Sequence, residues 1–210
     1  MKYSEFKKKL IDMPIFSFSQ IESLYGNTQV LKNQLSRWVR KNLLLKLRKG
    51  IYVLNSEDRK VTPSRMFIAN QLYFPSYVST EYALSFYDLI PERVADITSV
   101  TTKKPVFFRN EFGNFIYRHI KSECFDGFRK MADENKCFFF IASPEKAVID
   151  FLYFNLKKLK IDDFHVFEES YRFQNLSILS KNKIIGFAKK FKNEKLIIVA
   201  RAFCKFAGRA

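Results

Sequence analysis

The sequence predicts an α+β fold, because a helical N-terminal stretch with a hairpin is followed by a β-rich middle and a helical C-terminal end over 210 residues with no internal repeat. Three observations carry that reading. A two-sided helix pattern over 28–41 runs directly into two β-prone runs around Lys49-Gly50. Beyond residue 64, further β-prone runs interleave with helices that carry capping residues. A composition of 47% hydrophobic and 28% charged residues, with 24 Phe, can build a packed core and argues against wholesale disorder.

The elements follow in order. Tyr3 to Met13 reads as a first helix burying Phe6, Leu10 and Ile11, stopped by Pro14. Ser17 or Ser19 caps a second helix, Gln20–Tyr25, which Gly26 ends. Asn27 or Thr28 caps a third, running to about Lys41. At 100° per residue, Leu31, Leu35, Trp38, Val39 and Asn42 fall on one side of it. Gln29, Asn33, Ser36, Arg37 and Arg40 fall on the other. Leu43–Arg48 and Ile51–Leu54 then form a hairpin across Lys49-Gly50, with Leu45 and Leu47 expected against Trp38. Short helix, Gly-containing turn, polar-faced helix and hairpin together predict a winged helix-turn-helix over residues 1–58.

Asn55 to Pro63 is polar and ends in Pro, so it reads as a solvated connector, and residues 1–60 are expected to bind DNA alone. A mixed α/β C-terminal domain with a helical C-terminal end is expected over 64–210. Its helices are Ser64–Leu72, Glu81–Tyr87 capped by Thr80, one opening at Ser143-Pro144-Glu145, and three covering about Asp162–Tyr171, Ser180–Phe191 and Asn193–Phe206. Its strands are Tyr77–Ser79, Ala95–Thr102, Val106–Phe108, Phe115–Ile120 and Cys137–Ile141.

The formal net charge of +16 favours an anionic partner. Residues 1–60 hold 13 of the 37 basic and 5 of the 21 acidic residues, so positive charge is denser in the shorter part. No acidic residue lies between Gly26 and Asn55. The usual solvated helix face carries Glu and Lys pairs; this one offers Arg, Asn and Gln, which suit base edges in a major groove. Thr28, Gln29, Lys32, Asn33, Ser36, Arg37 and Arg40 on the helix, with Lys46, Arg48 and Lys49 on the hairpin, are the candidate DNA-binding residues. The hairpin lysines and arginine suit phosphates or the minor groove.

Three cysteines at wide spacing, Cys124, Cys137 and Cys204, predict neither a disulfide framework nor a zinc site. His119 and His165 lack nearby ligand partners. No apolar run reaches a membrane span, and the N-terminus has no signal-peptide core. A reduced, cytoplasmic protein with no cofactor, no metal and no membrane partner is expected.

Three segments resemble the AbiEi family of bacterial antitoxins and transcriptional regulators, found in abortive-infection (type IV) toxin–antitoxin operons that serve phage defence. They are Leu47-Arg48-Lys49-Gly50-Ile51-Tyr52, Tyr77-Val78-Ser79-Thr80-Glu81-Tyr82-Ala83-Leu84 and Ala142-Ser143-Pro144-Glu145-Lys146-Ala147-Val148-Ile149-Asp150. The resemblance implies an N-terminal domain that represses its own operon at inverted promoter repeats. It also implies a C-terminal domain that counters a nucleotidyltransferase-like toxin, by direct contact or otherwise. The second and third segments also read as plain helix starts.

Catalytic signatures are sparse. GxSxG, a Gly-rich phosphate loop and HExxH are missing. Glu134-Asn135-Lys136 has nuclease-like E-x-K spacing but no Pro-Asp partner upstream. Ser143 and Asp150 do not make the paired carboxylates that Mg²⁺ needs. Carboxylates distant in sequence, such as Glu81, Asp96 and Glu145, could still be gathered by the fold. The expectation is therefore a non-enzymatic DNA-binding repressor and antitoxin; the alternative is a nuclease or other nucleic-acid enzyme guided by a winged helix. The tail 180–210 holds nine basic residues and one acid, Glu194. It reads as a helical pack closing the C-terminal domain, as a surface for an acidic toxin or nucleic acid, or as a membrane-surface helix.

Overall fold

Capping chemistry sets the N-terminal helices in the computed structural model, which describes residues 2–26, 28–159 and 166–208. Helix α1 (Tyr3–Leu10) buries Phe6 and Leu10 and ends there rather than at Met13. Ser17 closes the two-residue strand β1 (Phe16–Ser17) and opens α2 (Phe18–Tyr25). The Gln20 amide donates to Ser17 Oγ at 3.2 Å, and the Ser17 amide donates to Gln20 Oε1 at 2.7 Å. That reciprocal capping box starts the helix two residues earlier than Ser19 would. Gly26 ends α2 at φ 61°, a conformation open to glycine. The candidate cap Asn27 lies outside the described residues, and Thr28 is already the first residue of α3 (Thr28–Arg40).

Leu31, Leu35 and Trp38 of α3 pack with Phe6, Leu10, Phe16 and Ile21 in one small core. The Phe6 and Trp38 rings lie 4.5 Å apart. Asn42, expected on this apolar side, is exposed beyond the helix end at φ 55°. Asn tolerates the left-handed region, so here it turns the chain out of the helix. Strands β2 (Leu44–Arg48) and β3 (Ile51–Leu54) follow, and the three strands pair in the order β1-β3-β2.

The β2–β3 hairpin has two buried faces. Register pairs Leu44 with Leu54 and Leu45 with Val53, and a bulge lies between Lys46 and Arg48. Alternation therefore sends Leu44 and Leu54 to the Trp38 core. Leu45, Leu47, Ile51 and Val53 go the other way, into the core of residues beyond 64. This corrects the expectation that Leu45 and Leu47 pack on Trp38; the period of two forbids neighbours Leu44 and Leu45 from sharing a face.

The connector is partly solvated, with Ser56, Glu57, Lys60 and Thr62 exposed, but it is also held at several points. Asp58 accepts hydrogen bonds from Tyr3 Oη at 2.6 Å and from Lys7 Nζ. The Lys60 amide donates to Ile11 O at 3.3 Å. Pro63 is buried, Asn135 Nδ2 donates to Thr62 O at 2.8 Å, and the Ser64 amide donates to Asp133 at 3.3 Å.

Beyond it, helix α4 (Arg65–Leu72) is capped by Ser64. Strands β4 (Ser76–Val78), β5 (Ile97–Thr101), β6 (Val106–Asn110), β7 (Gly113–His119), β8 (Phe128–Ala132) and β9 (Phe138–Ala142) form one sheet in the order β6-β7-β5-β4-β9-β8. The β4–β9 and β5–β7 pairs are parallel and the rest antiparallel. Register puts Tyr117 and Tyr77 on opposite faces. Tyr117 Oη donates to Ala69 O of α4 at 2.6 Å, and Tyr77 Oη donates at 2.9 Å to Asp150 of α6 (Pro144–Asn155). The sheet is thus covered on both sides.

The sequence reading omits two strands, β1 and β8. Thr80, expected as a cap, is instead the first residue of α5 (Thr80–Phe86), at φ 54°. Of the helix expected at Asp162–Tyr171, residues 162–165 lie outside the described residues, and Val166–Ser170 forms one π-helical turn. Helices α7 (Lys181–Lys190) and α8 (Glu194–Phe206) bury Ile184, Ala188, Leu196, Val199 and Phe203, closing the larger core.

Two expected outcomes follow from the packing. Residues 1–60 alone would expose Leu47, Ile51 and Val53, each worth about 1.5–3 kcal/mol of burial. That fragment should aggregate or lack a cooperative thermal transition by circular dichroism, and Leu47→Thr with Val53→Thr should make it more soluble; a monomeric, cooperatively folded unmodified fragment would contradict the shared hairpin. Burial raises the Asp58 pKa, but the hydrogen bonds from Lys7 and Tyr3 outweigh it and hold the carboxyl below its usual value of 3.8. A depressed folded pKa stabilises above the unfolded value and is lost as pH falls through the folded one. Asp58→Asn should therefore cost about 0.5–1 kcal/mol at neutral pH for this partly exposed pair, and the difference from wild type should vanish in acid urea titrations.

Candidate nucleic-acid interface

The exposed face of α3 is built by the core beneath it. With Leu31, Leu35 and Trp38 buried, helical geometry turns Gln29, Lys32, Asn33, Ser36, Arg37 and Arg40 outward, and all six are exposed. Gln29 Nε2 donates to Asn33 Oδ1 at 3.3 Å, one turn apart. Ser36 Oγ donates back to Lys32 O at 2.8 Å, so its free capacity is that of an acceptor. Arg40 Nε sits 3.5 Å from Ser36 O, and its terminal nitrogens make no hydrogen bond among the described residues. Thr28 is exposed at the helix start, and its hydroxyl donates to the Glu22 carboxylate.

The hairpin flanks this helix. Lys46 on β2 and Lys49 in the turn are exposed. Gly50 sits at φ 80°, which a residue with a side chain would adopt only under strain. Its carbonyl accepts from the Phe18 amide at 2.8 Å, which ties the turn to the head of α2. Lys32 Nζ lies 5.6 Å from the Phe18 ring.

Arg48 departs from its expected place. It is half-buried, and its Nε has no partner among the described residues. It lies near Tyr117 of the larger sheet, whose phenol is pushed up by burial while the Arg48 charge pulls it the other way. The bulge before it rotates the side chain toward the second half. Arg48 therefore does not share the exposure of Lys46 and Lys49, and its Nη1 donates to Lys49 O of its own hairpin at 3.4 Å.

Two exposed residues escaped the sequence reading. Val30 is 59% exposed beside Asn33 and Arg37, and its methyl groups match the thymine methyl. The spacing 30, 33, 37 carries that signal. Arg109 on β6 lines a groove of about 410 Å³ together with Lys46, Asn42 and Glu111. Asn110 Nδ2 donates to Leu47 O at 3.1 Å and holds the two hairpins together. No local pattern in the sequence brings Arg109 to Lys46.

The second and third family-like segments meet inside the C-terminal part. Asp150 accepts from Lys146 Nζ, from Tyr77 Oη at 2.9 Å and from Ser79 Oγ at 2.8 Å. All four side chains are buried. The Lys146 ammonium also faces the Phe191 ring at 4.8 Å. Burial first, then the Asp150 charge, pushes the Tyr77 phenol well above its ordinary pKa. The geometry suits an internal clamp among β4, α6 and α7.

The remaining carboxylates stay apart. Asp96 accepts from Asn114 at 2.9 Å, Glu145 accepts from the Ser180 amide at 3.3 Å, and Glu81 lines a separate cleft with Glu92. Among the described residues, no three His, Cys, Asp or Glu side chains gather at metal-binding spacing. Glu134-Asn135-Lys136 occupies the exposed turn between β8 and β9. His119 Nδ1 lies 3.1 Å from Lys103 O, and His165 is outside the described residues. Cys124, Cys137 and Cys204 are free thiols, each buried and each raised in pKa by that burial. No helix among the described residues is long and apolar enough to cross a membrane. Compared with known proteins, the chain matches no family model and no curated protein.

Removing one member of the buried cluster leaves uncompensated charge. Asp150→Ala should cost about 3–5 kcal/mol in urea unfolding. The double variant Lys146→Met with Asp150→Leu should recover a substantial part of it. Equal losses in the two proteins would show that the ion pair is not what the single variant breaks.

Proposed function

We propose that the chain is a non-enzymatic, sequence-specific binder of double-stranded DNA. Residues 1–58 act as a winged helix-turn-helix, with α2 and α3 as its two helices and β2–β3 as its wing. The observation that carries this reading is the acid-free exposed face of α3, with Gln29, Asn33, Arg37 and Arg40 projecting together. Arg can read guanine, and Asn or Gln can read adenine, in a bidentate way. Lys32, Lys46 and Lys49 border that face and suit phosphates. Arg109 extends the basic border onto the second half. Val30 would add contact with a thymine methyl.

The resemblance to AbiEi-type regulators supports the further reading that the chain is a cytoplasmic antitoxin that represses its own operon at inverted repeats. The C-terminal half would then counter a nucleotidyltransferase-like toxin. The Tyr77–Ser79–Lys146–Asp150 cluster gives the matching segments a structural reason, because they hold one another. The nuclease alternative draws no support from Glu134-Asn135-Lys136, which sits on an exposed turn.

Gel-shift titration on DNA upstream of the chain's own gene tests the reading. Arg40→Ala should weaken binding to that DNA by about 1–3 kcal/mol while affecting an unrelated duplex much less. Lys46→Gln with Lys49→Gln should weaken all duplexes alike and reduce the salt slope by roughly one unit per lost phosphate contact. Unchanged affinity in Arg37→Ala and Arg40→Ala alike would remove α3 as the reading helix.

A further inference from the structure

A cleft of about 560 Å³ opens between the start of α4, the end of α5 and the β8–β9 hairpin. That volume is in the range of small-molecule sites. Met66, Phe86, Met131 and Phe139 line it. Phe86 is 38% exposed although large and aromatic. Its ring meets Tyr87 edge-on at 5.1 Å. Two methionines adapt readily to an apolar guest, and an aromatic face attracts a cation.

The charges at the cleft are all of one sign. Asp133 and Glu134 line it, and no Lys, Arg or His does. This is unusual in a chain of formal charge +16. The Asp133 carboxylate accepts from the backbone amides of Ser64, Asn135 and Cys137 at 3.3, 3.0 and 2.8 Å. Burial raises its pKa, but hydrogen bonding from the Ser64 side chain first, and then from the three amides, prevails and keeps it below the usual value, so it remains a fixed anion. Glu134 is exposed and forms no hydrogen bond or ion pair among the described residues.

From the apolar walls and the anionic mouth we infer that this cleft binds a small amphipathic cation. Its apolar or aromatic body would lie between Met66, Phe86 and Met131. Its ammonium, guanidinium or amidinium group would face Glu134. The inference goes beyond the DNA-binding reading and does not rest on it.

Benzamidine is a suitable probe, with neutral benzamide and anionic benzoate as matched controls. The full chain, labelled at its methionine methyl groups, can be titrated by NMR. Benzamidine should shift the Met66 and Met131 signals and leave Met13 in place. It should bind about fivefold tighter than benzamide, the scale of one exposed charge pair, and benzoate should bind weakest. Glu134→Gln should reduce the preference for benzamidine over benzamide, and Phe86→Ala should weaken both. Unmoved Met66 and Met131 signals would overturn the inference. So would equal affinity for the three probes, or a preference left undiminished by Glu134→Gln.

Discussion

The two-faced burial of the β2–β3 hairpin is the constraint on which the rest of the molecule depends. Leu44 and Leu54 belong to the core under α3, while Leu47, Ile51 and Val53 belong to the core beyond residue 64. A strand can serve two cores because its side chains alternate. The consequence reaches the surface. Trp38 and Leu44 fix α3 against one side of the hairpin, so the same packing that buries Leu31 and Leu35 presents Asn33, Arg37 and Arg40. On the other side, Asn110 bonded to Leu47 O brings Arg109 beside Lys46. The exposed basic residues thus come from both parts of the chain but share one support.

A second constraint organises the larger half. Asp150 is buried with Lys146, Tyr77 and Ser79, and each has a partner in the cluster. An unpaired charge there would be costly, whereas a satisfied network costs little and specifies one arrangement of strand against helix. Tyr77 on one sheet face and Tyr117 on the other each anchor a covering helix through the phenol oxygen. The hairpin joins this sheet through Leu47, Ile51 and Val53 in the shared core and through Asn110 bonded to Leu47 O. Placement of the exposed α3 face therefore traces back through the hairpin to the sheet.

Much of this was legible in the sequence, because the signals were local. Ser17, Gly26, Ser64 and Ser143 mark helix ends through their own hydrogen bonds or conformations. The 3.6-residue period of Leu31, Leu35 and Trp38 was enough to separate the two sides of α3. What was not legible depended on partners distant in sequence. Lys146 and Asp150 are four residues apart and look like an ordinary surface pair; only the sheet and α7 bury them. Strand β8, Phe128–Ala132, is an edge strand with exposed Arg129 and Lys130, so its alternation is blurred by the charges that guard the edge. The connector reads as polar because some of its polar groups face water and others, such as Asp58, bind the rest of the protein. Arg48 was misplaced because a bulge cannot be seen in a composition of basic residues.

Two residue types separate a DNA reader from a generally basic surface: bidentate side chains on a rigid helix, and cations placed at its borders. The most direct measurement compares the affinity of the full chain for the DNA upstream of its own gene with its affinity for a scrambled duplex of equal length, by fluorescence anisotropy at physiological salt. The account predicts a preference on the order of 10³-fold or more for the upstream DNA. Equal affinities, both falling together with salt, would reduce α3 and the hairpin to a non-specific phosphate-binding surface and contradict it.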